Sequence, residues 1–421
     1  MISVFTPFHA KANQFLLEAY DSLLAQSNPN WEWVLVPNAG GVVPEIVLQD
    51  SRVNVFPVED DDPEHNRIGR LKRYACSKAS GSIYLELDAD DILTSTALEE
   101  VERAFQDAGV AMVYSNHAEF QNGTWESRVY GEVFGWKARP VFYEGRELQE
   151  TISWPPSPHM MRQIFWAPNH VRAWRAVAYN AMGGHDETLK TGDDHDLCCR
   201  TYIAYGARGI AHIDKCLYLY RLHPENSCTT NNEGVQRQTE QNYLKYSREM
   251  ALRWARDEGT QLLDLGGRLN AWEGFTTVDL HDAQIITDLN DPWPFADNSA
   301  GVIRASHVFE HLRDPVHAMN EAFRVLAPGG WLFLDVPSTD GRGAFQDPTH
   351  VSFWNQNSIW YYTRQEFARF VPKFKGRFQD SRTVTFFPSD FERAHNIPIL
   401  QSDLIAVKGY YSKRPVGAVM I

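Results

Sequence analysis

The sequence has 421 residues, of which 43% are hydrophobic and 22% charged, and its formal net charge is −14 at pH 7. A single hydrophobic core stops growing near about 250–300 residues, so this length favours two domains. The acidic balance argues against the broad basic surface that binding to nucleic-acid phosphates would require.

The sequence contains no apolar run long enough for a transmembrane helix, so no membrane-spanning segment is expected. Its first ten residues, MISVFTPFHA, lack the charged and apolar regions of a signal peptide and favour a β-strand instead. The cysteines number five, and none forms a C-x-x-C pair. Disulfide scaffolds and cysteine zinc sites usually use paired cysteines, so neither is expected, and a reducing cytoplasm fits this sequence.

The first half alternates strand-like and helix-like stretches, which is typical of an α/β fold with a mostly parallel sheet. The patterns predict strands at residues 2–6, 31–36, 53–56, 83–87 and 111–114, and helices at 15–25, 68–79 and from residue 95. Residues 120–165 are rich in glycine, proline and aromatic side chains and predict an irregular loop on the acceptor side.

A polar helical stretch over residues 234–257 ends this first series, and the alternation of strands and helices then restarts. The second series predicts strands at residues 262–263, 276–280, 301–305 and 331–336 and a helix at 317–326. Such a restart is typical of a second doubly wound domain. The sequence therefore predicts domains at residues 1–250 and 258–421.

An acidic run follows the predicted strand at residues 83–87 and contains Asp88, Asp90 and Asp91. Parallel sheets bind ligands beyond the carboxyl ends of their strands. Carboxylates at such an end can hold a hard divalent cation, which would neutralise the diphosphate of a nucleotide-sugar. The same residues could instead begin a turn and cap the following helix.

A series of motifs makes the first 245 residues resemble the family 2 glycosyltransferases, which are inverting enzymes of the GT-A fold. In chain order the motifs are VFTPFH (4–9), SLLAQ (22–26), WEWVLV (31–36), GRLKR (69–73), DADD (88–91), GGHD (183–186), DDHDLCCR (193–200) and YRLH (220–223). Each motif alone is weak, but their common order makes the resemblance specific.

The resemblance implies a role for each matching residue. Asp88 would contact the nucleotide of a UDP- or GDP-sugar, and Asp90 and His223 would bind Mn²⁺ or Mg²⁺. Asp194 would be the catalytic base that deprotonates the acceptor hydroxyl, opposite the departing diphosphate. Further donor-binding residues implied by the motifs are Thr6, Pro7, Asn38, Arg70, Lys72, Asp91, Asp193 and Arg200.

Asn38 marks a departure, because the family usually carries an aspartate there that contacts the base of the nucleotide. An asparagine can still hydrogen-bond a base, but it has no charge, so the nucleotide stays open. Considered without the family, Asp193 and Asp194 could form a solvated loop, and Lys72 could lie on a solvated helix face. His223 could likewise be a hydrogen-bonded loop histidine.

The segment LDLGGRLN (263–270) resembles motif I of class I SAM-dependent methyltransferases, with Arg268 in place of the usual second glycine. The segments DLNDPWPF (288–295), SHVFEHL (306–312) and RVLAPGG (324–330) extend the resemblance over about residues 260–365. It implies a Rossmann-like domain that binds S-adenosylmethionine. The implied cofactor-binding residues are Asp264, Gly266, Gly267, Asp279, Asp288, Leu289 and His307, the last of them near the methyl group.

The leading hypothesis is a bifunctional enzyme that adds a sugar and then methylates the product. The acceptor could be a surface glycan, a metabolite or a hydroxymethylated DNA base. Residues 162–175 (RQIFWAPNHVRAWR) could contact phosphate or sugar, or could form a packed helix with a charged face. Residues 346–350 (QDPTH) could carry an acid/base pair or form a turn. Because Arg268 alters the glycine loop, a second domain that only binds or scaffolds is the alternative.

Overall fold

The computed structural model describes residues 1–58, 67–131, 136–162, 168–268 and 270–409. The chain divides into two compact units, Met1–Ser247 and Arg248–Ile421. Within the described residues, one sheet of 11 strands lies in the first unit and one of seven strands in the second. None of the helices described has the length and apolar character needed to cross a bilayer.

The sheet of the first unit has a parallel core that runs β3–β2–β1–β4 and continues through β10, β6, β11 and β5. Its strands are β1 (Ile2–Phe8), β2 (Trp31–Pro37), β3 (Val53–Val55), β4 (Ile83–Glu86), β5 (Ile92–Leu93), β6 (Met112–Gln121), β7 (Ser127–Arg128), β8 (Ala138–Tyr143), β9 (Arg146–Thr151), β10 (Ala173–Arg175) and β11 (Ile210–Leu222). Every residue of β2 is buried, as expected for a parallel strand covered on both faces.

The helices of the chain up to residue 257 are α1 (Leu16–Leu24), α2 (Glu45–Leu48), α3 (Ile68–Lys78), α4 (Ala97–Ala104), α5 (Pro158–Met161), α6 (Ala176–Ala181), α7 (Asp193–Tyr205), α8 (Ser227–Thr230) and α9 (Asn232–Asp257). The apolar face of α1 buries Leu16, Tyr20 and Leu23, which recur at helical spacing. Tyr20 stacks on Trp33 of β2 with ring centroids 6.0 Å apart, which fixes α1 against the sheet.

One expectation for residues 120–165 is wrong, and one of the two alternatives for residues 162–175 is excluded. Instead of one irregular loop, β8 and β9 form an antiparallel hairpin. The hairpin turns through Glu144 and Gly145, both with positive φ, a backbone that suits a tight turn between strands. A helix over residues 162–175 is also absent from the described part, because residues 173–175 form β10 between β4 and β6. Residues 163–167, with Trp166, lie outside the described residues.

The sheet of the second unit has the order β14–β13–β12–β15–β16–β18–β17, in which the first five strands are parallel. Its strands are β12 (Gln261–Leu265), β13 (Thr276–Asp279), β14 (Ile285–Ile286), β15 (Ala300–Ser306), β16 (Leu326–Pro337), β17 (Phe378–Phe386) and β18 (Ile399–Ala406). Its helices are α10 (Pro315–Val325), α11 (Gly343–Gln346), α12 (Gln356–Thr363), α13 (Gln365–Ala368) and α14 (Asp390–Ala394). Both units are therefore mixed α/β, as predicted.

Candidate functional site

A cavity of about 710 Å³ lies in the first unit, beyond the carboxyl ends of β1, β2, β4 and β11. This is the edge at which a parallel sheet places ligands, because its strands end there together. Eight of the residues predicted from the motifs line the cavity: Pro7, Asn38, Lys72, Asp88, Asp90, Asp193, Asp194 and His223. The fold therefore gathers residues that are spread over more than 200 positions of the sequence.

Asp90 and His223 meet in this cavity although 133 positions separate them. Nε2 of His223 lies 2.8 Å from Oδ2 of Asp90. The imidazole ring packs against Phe15, with ring centroids 5.0 Å apart, and the backbone N–H of His223 donates to Asn226 at 2.5 Å. An imidazole nitrogen and a carboxylate oxygen held this close can both bind one divalent cation.

Asp88 lines the same cavity, and the positive charge near its carboxylate does not balance the effects of burial and of neighbouring carboxylates. Burial raises the pKa of its carboxyl to about 7, and repulsion from Glu86 and Asp90 adds to the rise in spite of Lys72. A divalent cation would reverse this balance, since it favours the ionised carboxylate. Asp90 and His223 therefore offer two ligand atoms that fit a divalent cation, and Asp88 lines the same cavity.

A second cluster on the cavity wall is centred on Glu86, the last residue of β4. Its buried carboxylate accepts hydrogen bonds from Nζ of Lys72 and, at 2.9 Å, from Nε of Arg172. The same two cations reach α7: Arg172 lies 2.9 Å from Oδ2 of Asp194, and Lys72 lies 3.4 Å from Oδ2 of Asp193. Burial alone would raise the pKa of Glu86, but Arg172 and Lys72 hold it well below its ordinary range.

The two aspartates that begin α7 differ in environment. The side chain of Asp193 is 3% exposed, whereas that of Asp194 is 19% exposed and reaches the cavity. Burial raises the pKa of Asp193 to about 6. At Asp194 the effect of burial is outweighed by Arg172, so its pKa is lowered. Asp194 is therefore the more accessible member of the pair and has the lower pKa.

Four predicted donor-binding residues lie outside the described wall of the cavity. Arg70 is exposed on α3. The other three hold the scaffold: Thr6 donates to the carbonyl of Leu87 at 2.6 Å, Asp91 accepts from the backbone N–H of Arg221 at 2.7 Å, and Arg200 bonds Asp196 at 2.8 Å. A role of these four residues in binding the donor stays a prediction.

Sequence reasoning missed Glu86 and gave Arg172 a different role. Contact with a phosphate or a sugar was one of two alternatives for the segment of Arg172, whose guanidinium is buried between Glu86 and Asp194. The signal for Glu86 was present, because a glutamate within the apolar strand IYLE is seldom buried unless it is paired. No spacing rule identifies its partners, which come from α3 and from the segment before β10.

The glycine loop of the second unit follows β12. Gly266 has a φ of +70°, and a Cβ there would lie 2.1 Å from Val308. A Cβ at Gly267 would lie 2.7 Å from Asp264, so both positions require glycine. Arg268 pairs with Asp282 at 2.8 Å, and its side chain is 45% exposed. The altered glycine position therefore carries a surface ion pair.

Asp264 is fully buried and already engaged by protein groups. Its two oxygens accept hydrogen bonds from the guanidinium of Arg304 at 2.8 Å, and Oδ2 also accepts from the backbone N–H of Trp272 at 2.9 Å. These bonds tie β12 to β15 and to the segment after the glycine loop. In this arrangement Asp264 acts on the shape of the loop.

The remaining predicted cofactor residues lie along the carboxyl ends of the same strands. Asp279 ends β13 and is partly exposed, and its carboxylate accepts from the N–H of Leu280 at 2.6 Å. Asp288 accepts from Asn290 at 2.8 Å, whereas Leu289 is buried in the core. His307 follows β15 with a positive φ of 57°, and its side chain is 53% exposed.

Comparison with known proteins finds a match to a different family model in each unit. Residues 3–167 match the model of glycosyl transferase family 2, and residues 269–334 match that of a methyltransferase domain. The O-antigen biosynthesis protein RfbC of Myxococcus xanthus is 25% identical over 242 residues, which are 56% of this chain and 16% of that protein. Chondroitin synthase of Escherichia coli is 22% identical over 229 residues, 54% of this chain and 30% of that protein.

Among solved structures, S. aureus TarS 1–349 in complex with UDP-GlcNAc aligns with 15% identity and a TM-score of 0.43, over 61% of this chain and 72% of that one. The chain spans less than a third of the length of the two curated relatives. The two family matches fall one in each unit, in the order that the motifs predict. The chain thus combines a glycosyl transferase family 2 domain with a methyltransferase domain of Rossmann-like α/β fold.

Proposed function

We propose that the first unit transfers a sugar from a nucleotide-sugar to an acceptor hydroxyl with inversion, and that the second unit binds S-adenosylmethionine and methylates the product. The observation that carries the first part is the meeting of Asp88, Asp90, His223 and Asp194 on one cavity. Among the acceptors considered, a glycan is favoured, since the names of two relatives, an O-antigen biosynthesis protein and a chondroitin synthase, concern polysaccharides.

Asp90 and His223 would hold the cation, with Asp88 beside them at the nucleotide. A bound Mn²⁺ or Mg²⁺ supplies positive charge against the diphosphate of the donor. The protein contributes rigid placement, because His223 is fixed by Phe15 and by Asn226. Lys190 also lines the cavity that would receive the anionic donor, as does Arg128, which is paired with Glu119.

Asp194 would accept the proton of the acceptor hydroxyl while the hydroxyl oxygen attacks the anomeric carbon. The bond from that carbon to the diphosphate oxygen breaks, and the electron pair leaves with the nucleoside diphosphate. Arg172 orients Asp194 by an ion pair of 2.9 Å and keeps it ionised. Arg172 also donates a hydrogen bond to Glu86, the last residue of β4. Arg172 therefore links Asp194 to the sheet and holds this base in place.

The first prediction concerns the cation. Asp90→Asn keeps the size of the side chain but removes the charge next to His223, so Mn²⁺-dependent donor binding is expected to weaken by at least about 10–100-fold. Calorimetric titration of UDP- and GDP-sugars with Mn²⁺ measures this loss, and a chelator should reproduce it in the wild type.

Asp21→Asn is the matched control, since Asp21 is an exposed aspartate on α1 of the same unit. It should bind the donor as the wild type does. Equal donor affinity in Asp90→Asn and wild type, with or without chelator, would refute the proposed cation site.

The second prediction concerns the cofactor of the methyltransferase domain. Asp279 ends β13, where a carboxylate can bind both ribose hydroxyls of a nucleoside cofactor. Asp279→Ala is therefore expected to weaken S-adenosylmethionine binding by about 1.5–3 kcal/mol, roughly 10–100-fold, in a calorimetric titration.

The competing function is a second unit that only binds or scaffolds, and the engagement of Asp264 by Arg304 favours it. That function predicts no heat from the wild type with S-adenosylmethionine. Heat that is present in the wild type and unchanged in Asp279→Ala would instead show that the cofactor binds elsewhere. Asp297→Ala, at an exposed carboxylate of the same unit, serves as the control.

A further inference from the structure

Two imidazoles and a carboxylate converge in the second unit, just beyond β15. Glu310 and His311 lie in the segment after β15, and His350 lies in the turn that follows α11. One possible ligand atom from each of the three lies within 4.8 Å of the others. The two segments are fastened together, because the backbone N–H groups of Val351 and Ser352 donate to the carbonyl of Glu310 at 2.8 and 3.0 Å.

Glu310 is the unusual member of this cluster. Its side chain is 2% exposed, yet neither carboxylate oxygen accepts a hydrogen bond from the residues that the structure describes. Its charged partner among the described residues is the half-exposed His307, whose Nδ1 lies 3.4 Å from Oε1 and forms an ion pair when the imidazole is protonated. One long contact to a half-exposed imidazole compensates a buried carboxylate only in part, so this group is expected to bind a further cation or a proton.

The hydrogen bonds of the two imidazoles leave one nitrogen of each ring as an electron-pair donor. Nδ1 of His350 lies 3.0 Å from the carbonyl of Ala344, and Nδ1 of His311 lies 3.3 Å from the carbonyl of Thr349. A carbonyl oxygen can only accept, so each Nδ1 carries a proton, and in the neutral ring the lone pair is on Nε2. Nε2 of His350 lies 3.8 Å from Oδ2 of Asp347. Metal-binding histidines are commonly oriented by such a bond from the second ring nitrogen.

The turn that carries His350 is itself ordered. The hydroxyl of Thr349 donates to Asp347 at 2.7 Å, and the backbone N–H of Thr349 donates to the same oxygen at 2.8 Å. The segment QDPTH is thus a turn, one of the two readings of its sequence. The rings of His311 and His350 lie 4.9 Å apart, with 70° between their planes. This order places both rings before any ion arrives.

We propose that Glu310, His311 and His350 bind one divalent transition-metal ion, for which Zn²⁺ is the best match. Two imidazole nitrogens and one carboxylate oxygen favour Zn²⁺ over Mg²⁺ or Ca²⁺, which prefer oxygen ligands alone. Three protein ligands leave a fourth position for an oxygen ligand such as water. The site is separate from Asp90 and His223 and does not depend on sugar transfer.

The test uses the full chain with Asp90→Asn, so that a cation at the first unit does not contribute. After treatment with chelator, Zn²⁺ is titrated by calorimetry, and Co²⁺ is added in parallel to record its visible absorption. We expect one bound Zn²⁺, with Glu310→Gln and His350→Gln each weakening it by at least about tenfold. His395→Gln, which replaces an exposed histidine of the same unit, should leave the affinity unchanged.

A second variant separates loss of the ligand from loss of the fold. His350→Cys offers a different ligand atom at the same position, so it should restore Zn²⁺ binding and shift the Co²⁺ absorption towards that of a thiolate complex. Near-ultraviolet circular dichroism checks that each variant is folded. The proposal is overturned if the Asp90→Asn chain binds no Zn²⁺, or if folded Glu310→Gln and His350→Gln bind it as tightly as their parent.

Discussion

Asp194→Asn is expected to lower the rate of sugar transfer by about 10²–10⁴-fold while donor binding persists. The amide keeps the shape of the side chain, and its oxygen can still accept a hydrogen bond from Arg172. It cannot take the proton of an acceptor hydroxyl. Because Asp194 lies at the start of α7 and the pair Asp90–His223 lies elsewhere on the cavity wall, the two functions should separate.

The measurement compares initial transfer rates at saturating donor and Mn²⁺ with the donor affinity from calorimetry. Arg172 lowers the pKa of Asp194, so the wild-type base is ionised throughout mildly acidic and neutral solution. The ratio of wild-type to variant rate should therefore be constant between about pH 6 and pH 8. A variant that lost donor affinity and rate together would contradict the assignment of Asp194 as the base.

The sequence predicts the strands that lead into the site better than the site's interior. The apolar runs at 31–36 and 83–87 correspond to β2 and to β4, and the acidic residues follow β4 as expected. A continuous apolar run of a buried strand is a local pattern, so it is visible in one segment of sequence. The motif order also located Asp90 and His223, which the structure brings to 2.8 Å.

The pairing of buried charges could not be predicted in this way. The sequence around Lys72 does not distinguish a position on a solvated helix face from one on a cavity wall. Only the packing of α3 buries Lys72 beside Glu86. The hairpin of β8 and β9 was missed for a related reason: its strands are mostly half-exposed, so their apolar pattern is weak. Both errors concern features that are decided by tertiary contacts.

Glu86→Gln is expected to destabilise the first unit by about 3–5 kcal/mol, because it leaves two buried cations without their shared carboxylate. Lys72 and Arg172 have side chains only 7% and 3% exposed, so water cannot replace the lost charge. Asp193 and Asp194 remain as partners, but they lie on α7 and contact one cation each. The loss should therefore exceed that of any exposed ion pair.

Urea denaturation followed by fluorescence measures this change, with separate transitions assigned to the two units where they are resolved. Glu99→Gln is the matched control, since Glu99 pairs with Arg103 at 3.0 Å but has a side chain 47% exposed. An exposed pair of this kind contributes about 0–1 kcal/mol. A Glu86→Gln chain no less stable than Glu99→Gln would contradict the account of the buried cluster.

The pH dependence of the stability of Glu86→Gln independently checks whether the ionised form of Glu86 stabilises the folded protein. The pKa of Glu86 is held well below its ordinary range in the folded protein, so folding favours the ionised form. Its stabilisation is fully present above the unfolded-state pKa of about 4.3 and disappears as the pH falls towards the folded-state value. The free-energy difference between wild type and Glu86→Gln should therefore be constant from neutral to mildly acidic pH and should shrink below about pH 4. A difference that grew in acid would mean that Glu86 is protonated in the native state, and the ion pairs with Lys72 and Arg172 would then not be the source of the stability.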